Sequence, residues 1–210
     1  MIGNLEVDLR PKLAAVRDQG TRPTCLAHAV SASHEYVRGS LVHLSVEYLH
    51  YFATGGTPTH GSTMAGARCA LEDSGQPEEK FCPSFHTGPP LGWTPKTNLA
   101  VFRRRSDNLP PTCENVEKAI RGMRAPVLGI SLPRSFFRPT EPWVIMPGNL
   151  ILGLHAVIGA GIGFHRNELA ILIRNSWGID WGDQGHALLT SEFLDHHLIT
   201  VMVLTEAVAR

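Results

Sequence analysis

At 210 residues and 43% hydrophobic content, the chain is long enough to bury a medium-sized core, as one domain or as two small lobes. Its 19 basic and 19 acidic side chains cancel, so no overall field draws it to nucleic acid or to an anionic membrane surface. No apolar run reaches the length of a membrane span, since 151–162 is short and broken by Gly153, His155 and Gly159.

The opening residues, Met1 to Asp8, lack both the basic and the apolar regions of a secretory signal, so the expected location is cytoplasmic. After Asp18-Gln19-Gly20, the residues Cys25, Leu26, Ala29, Val30, Ser33, Tyr36 and Val37 recur at helical spacing, and Gly39 ends the pattern. This predicts a helix with Cys25 in its first turn. Ser45 caps a second predicted helix that Gly55-Gly56 stop, and 62–74 reads as a third, ended by Gly75 with Pro77 beyond. Residues 83–111 are rich in Pro and Gly without periodicity and read as a long irregular connection between lobes. Within it, Arg103-Arg104-Arg105 reads as a solvated basic loop.

Thr112 caps a further helix to about Arg124, and 126–132 reads as a buried strand. Strands are then predicted at 155–162, 169–174, 186–190 and 198–204, with His196-His197 as a polar turn. Helices come first and sheet second, which predicts an α+β fold in a single domain 1–210, mainly helical over 1–111 and mainly antiparallel β over 112–210.

Three segments carry chemistry. Cys25 at a helix amino terminus has open amides and a helix dipole to favour its thiolate, although a lone cysteine is by default a small buried residue. Gln19, six residues earlier, is placed to donate with the Cys25 backbone amide to a developing oxyanion, and Gly20 lets the loop turn closely. His155 opens an apolar strand, and Asn175 follows another at Ile173-Arg174-Asn175-Ser176-Trp177-Gly178, where its amide oxygen can accept from the imidazole under cover of Trp177. Taken singly these are a core histidine, a turn asparagine and a core aromatic; together they suggest nucleophile, base and orienting amide. The other cysteines, Cys69, Cys82 and Cys113, show no close metal-ligand pair and no reason for disulfides in a chain of this size.

In this order the segments resemble the papain-type cysteine peptidases, the family of papain and the cathepsins, which place histidine and asparagine about 130 to 150 residues after the cysteine. Here the intervals from Cys25 to His155 and Asn175 are 130 and 150 residues. The resemblance extends from Val7-Asp8-Leu9-Arg10 to the last predicted strand. It implies a papain-like two-lobed fold, with a helical lobe and an antiparallel β-barrel-like lobe, and with Cys25 facing His155 across the cleft. It assigns attack to Cys25, proton transfer to His155, orientation to Asn175, the oxyanion hole to Gln19 with the Cys25 amide, and shielding to Trp177. No metal or organic cofactor is implied, and the substrate is a peptide or protein. The substrate pocket falls on Ile130 and Leu154, with Gly61 and Ser62 on its wall.

The chain also departs from that family. Its usual Cys-Gly-Ser-Cys-Trp is replaced by Arg22-Pro23-Thr24-Cys25-Leu26, which removes a disulfide partner, a glycine and an indole and points to altered specificity or lower general activity with the chemistry kept. The chain opens at the position of the mature enzymes, resembling compact bacterial members without a propeptide, so the resemblance implies narrow specificity, an activating or inhibitory protein partner in a processing or defence pathway, or both. Two other functions fit the same residues: an acyltransferase or transpeptidase using the same thioester, and a non-catalytic binding module on the same scaffold.

Overall fold

The computed structural model describes residues 2–3 and 5–208. A short strand, β1 (Val7–Asp8), lies against the later sheet. The first helix, α1 (Cys25–Val37), starts where the sequence places it, and every residue from Leu26 to Tyr36 is buried. It is a central helix surrounded by protein on all sides. Ser45 caps α2 (Val46–Ala53), its Oγ accepting from Tyr48 N at 3.0 Å. Thr63, rather than Ser62, caps α3 (Met64–Cys69), which widens into a π turn at Ala70–Ser74 before Gly75 stops it.

The connection over 83–111 is irregular only in part, because it contains β2 (Arg104–Leu109). Arg104 and Arg105 therefore stand on an edge strand and not in a solvated loop. Arg104 Nη1 donates to Thr205 O at 3.0 Å, and Arg105 Nε meets Glu72 at 3.3 Å. Then follow α4 (Cys113–Arg121), β3 (Val127–Pro133), β4 (Val144–Ile145), β5 (Ile151–His165), β6 (Glu168–Arg174) and β7 (His186–Thr190). Next comes α5 (Ser191–His197), leading directly into β8 (Leu198–Ala207). The predicted polar turn at His196-His197 is thus corrected to the end of a helix. His197 is buried there, its Nδ1 2.9 Å from Ser131 Oγ.

The class is α+β, as the element order predicts. The strands run β2-β8-β3-β5-β6-β7-β4, all neighbours antiparallel except β4 with β7, and β1 adds to β5. The expected barrel-like closure does not occur. β2 and β4 stand at opposite ends of this path without pairing, and β4 offers only two residues, so the sheet stays open.

One strand sets up the site. β5 is long because it serves two neighbours in turn: 151–158 pairs with β3, and 158–165 pairs with β6. α1 packs across β5, with Leu26, Val30 and Leu49 from the helices joining Ile130, Ile158 and Ile171 from the strands in one buried cluster.

Candidate active site

Cys25 is the first residue of α1, and Thr24 at the cap position makes no side-chain cap bond, so no capping side chain competes for the first-turn amides beside the thiol. The packing of α1 on β5 also brings the main chain of Ala156 to the sulfur. Burial pushes the Cys25 thiol above its ordinary pKa, while the main-chain groups of Ala156, Leu26 and Cys25 itself pull it back.

The β5–β6 register places the histidine and the asparagine. Arg174 lies opposite Ile158 at the end of the ladder, so the chain leaving β6 continues past the stretch of β5 that bears His155. There His155 Nε2 lies 2.7 Å from Asn175 Oδ1. Ser176 N donates to the same Oδ1 at 2.8 Å. A backbone N–H can only donate, so that atom is an acceptor, and His155 Nε2 must carry the hydrogen of their bond. In neutral His155 the lone pair is therefore on Nδ1. Burial is the larger influence on this imidazole and lowers its pKa to about 4, opposed by the Asn175 bond.

Aromatic rings wall off this pair from water. Trp177 packs on His155 with ring centroids 4.7 Å apart, and Phe136 meets both rings edge-on at 5.8 and 5.6 Å. Trp181 Nε1 in turn donates to Phe136 O at 3.0 Å. Gly178 makes the tight turn after Trp177 possible, since its φ of 77° is one that side chains rarely adopt.

Gln19 is tied to the asparagine loop as well as to its own. Asp18 bridges Trp177, Gln19 N donates to Ser176 O at 2.8 Å, and Ser176 Oγ donates to Gln19 Oε1 at 2.6 Å. Gln19 Nε2 donates one hydrogen to Arg22 O at 2.7 Å. An amide nitrogen has two hydrogens, and the second remains for another acceptor.

A cleft of about 430 Å³ is lined by both Cys25 and His155. Gly61, Ser62, Ile130 and Leu154, the four residues that the family resemblance places at the pocket, line the same cleft. Ile130 is fully buried and forms part of its floor, whereas Leu154 is 74% exposed. Pro23, Leu26, Met64 and Ile199 add further apolar wall. Asn175 and Trp177 are not among the residues bordering this space; they stand behind His155.

Several supporting residues escaped the sequence reading. Ser176 lies inside the motif but carries no signal of a partner 157 positions away. Phe136 sits in a short 3-10 turn at Arg134–Phe136, where no periodicity marks it as buried. The Arg22–Glu47 ion pair joins a loop to a helix that separate patterns identify.

No family model matches the chain. Among curated proteins it is similar to cathepsin K of Gallus gallus, with 28% identity over 193 residues. That likeness covers 87% of this chain but 58% of the relative, so the chain spans less than two thirds of the curated protein it matches. Among solved structures it is similar to xylellain, a cysteine protease from Xylella fastidiosa, with a TM-score of 0.83, 19% identity, and coverage of 95% of this chain and 85% of that one. It is also similar to the bromelain protease of Ananas comosus in complex with the E64 inhibitor, with a TM-score of 0.77, 19% identity, and coverage of 95% and 97%. The fold is therefore papain-like.

Proposed function

We propose that this chain is a papain-like cysteine peptidase in which Cys25, His155 and Asn175 act as nucleophile, proton carrier and orienting residue. One observation carries the reading: Cys25 and His155 line a single cleft while Asn175 Oδ1 holds the far side of the imidazole. The likeness to cathepsin K and the papain-like fold support the same chemistry.

Burial raises the Cys25 thiol and lowers the His155 imidazole, so the surroundings of each group taken alone favour its neutral form. As Cys25 Sγ attacks the peptide carbonyl carbon, His155 Nδ1 takes the thiol proton. The carbonyl oxygen gains the negative charge, with the Cys25 backbone N–H and the second Gln19 Nε2 hydrogen as its donors. Collapse of this intermediate breaks the C–N bond, and His155 returns the proton to the leaving amine. A water then attacks the thioester carbon, giving its proton to His155, and the acid leaves as the thiol is restored.

The apolar wall of Leu26, Met64, Ile130, Leu154 and Ile199 favours substrates with an apolar side chain near the scissile bond and supports narrow specificity. Incubating the protein with a peptide library, with Cys25→Ala as control, tests this reading by mass spectrometry of the products. Fragments with free carboxylates that vanish in the variant are expected. Amine-capped products would reassign the protein to acyl transfer, and an unchanged library would contradict the proposal.

A further inference from the structure

The loop that carries Gln19 is held by a buried ion pair. Arg22 is 8% exposed and Glu47 of α2 is 0% exposed. Arg22 Nη1 donates to Glu47 Oε2 at 2.6 Å and Nη2 donates to Oε1 at 2.8 Å, the parallel two-bond geometry of a guanidinium on a carboxylate. The pair also gathers a third segment. Arg22 Nη1 donates to Phe85 O at 3.1 Å, and Phe85 N donates to Glu47 Oε2 at 3.2 Å.

Such a pair is a poor source of net stability, because desolvating both ions offsets much of their attraction. What it does supply is a fixed geometry. The main-chain oxygen of the same Arg22 accepts from Gln19 Nε2 at 2.7 Å, while Ser176 Oγ holds Gln19 Oε1 at 2.6 Å. The Gln19 amide is thus held at both ends, and one of those holds is the backbone of a residue whose side chain is locked to α2. Pro23 follows immediately and restricts the chain further.

We infer that the Arg22–Glu47 pair is a clamp that positions Gln19 for the acyl oxygen, making both members positioning residues of the reaction. This rests on the peptidase reading above. It assigns the pair a role in the transition state that a purely structural ion pair does not have.

The test compares wild type with Glu47→Gln, Arg22→Lys, Gln19→Ala and the Gln19→Ala/Glu47→Gln double variant, each normalised to folded protein. Glu47→Gln keeps an acceptor for Phe85 N and is expected to lower kcat about tenfold or more with KM changed less than about threefold. Arg22→Lys keeps the charge without the two-pronged geometry and falls between that variant and wild type. In the Gln19→Ala background, Glu47→Gln is expected to cost nothing further in kcat. Additive losses, or a lower Tm with unchanged kcat per folded molecule, would overturn the inference. Backbone amide exchange at residues 18–24 reads the clamp without turnover: Glu47→Gln is expected to speed it, and unchanged exchange overturns the clamp. A wild type without turnover on any peptide overturns the peptidase reading and the catalytic role together, and exchange still decides whether the pair holds the loop.

Discussion

Ser176 Oγ donates a 2.6 Å hydrogen bond to Gln19 Oε1, tying the residue after Asn175 to the loop that precedes Cys25. The bond occupies the Gln19 amide oxygen, while its nitrogen donates to Arg22 O and keeps a second hydrogen for the proposed oxyanion. Ser176→Ala removes a net hydrogen bond worth about 1 kcal/mol, so kcat is expected to fall roughly fivefold. Alkylation of Cys25 by iodoacetamide, which forms no oxyanion, is expected to stay at the wild-type rate. Equal losses in both measurements would place the effect on the thiol instead.

Asn175 is expected to control the imidazole in two ways. Its hydrogen bond raises the His155 pKa against the larger lowering by burial. Asn175→Ala should therefore move the His155 titration, followed by NMR of the ring, to lower pH, and Asn175→Asp should move it to higher pH by adding a negative charge. With the ring free to turn, kcat in Asn175→Ala should drop by about 10². A titration unchanged in both variants would show that the contact does not act on the base.

Substitution of Leu154 is expected to change specificity with little effect on stability. Its side chain is 74% exposed yet lines the cleft. Leu154→Asp should shift unfolding by no more than about 0.5 kcal/mol, as surface changes do. It should lower kcat/KM for peptides with an apolar side chain near the scissile bond by about tenfold relative to polar ones. Unchanged relative rates across a peptide series would remove Leu154 from the substrate pocket.

Acid is expected to destabilise the fold through buried histidines held neutral. Burial is the main cause that lowers His28 to about 3 and His34, His155 and His186 to about 4. Their folded pKa values lie below the unfolded value, so between these limits the unfolded chain binds more protons and stability rises with pH. The stability is present above about pH 6.5 and is lost as pH falls toward 4, with each histidine contributing at most about 1.4 kcal/mol per pH unit. Urea midpoints measured from pH 7.5 down to 4.5 should fall steadily. A flat series would mean that these histidines are already charged in the folded protein.

The placement of the candidate site residues is legible in the sequence where local pattern and position coincide. Thr24-Cys25 reads as a helix start because an apolar period begins there, and the structure begins α1 at Cys25. The strand before Asn175 reads nearly to its bounds, whereas the strand expected at 155–162 extends over Ile151–His165 and places His155 inside it instead of at its start, because pairing with β3 continues the strand through 151–154; the register of β5 with β6 brings the two side chains together. Short elements were harder to read. β2 is hidden by polar residues at a sheet edge, where pairing with β8 and not apolar alternation defines the strand. α5 has seven residues and ends in two histidines, so its single turn of core contact through Phe193 and Leu194 is too brief for periodicity to show. Barrel closure was an inference from resemblance, and which strands end a sheet is decided by long-range pairing that no local pattern records. The same is true of Arg22 with Glu47, whose partnership depends on how a loop folds onto α2.

The most direct test of the account is covalent trapping of the nucleophile. Wild type, His155→Ala and Asn175→Ala are treated with an epoxide-type thiol-protease inhibitor, and the adduct is located by peptide mass spectrometry among Cys25, Cys69, Cys82 and Cys113, all of which are free thiols. The account predicts one adduct per molecule of wild type, confined to Cys25, with its formation slowed in both variants. Labelling spread over the other cysteines, or a wild type that leaves Cys25 unmodified, would contradict it.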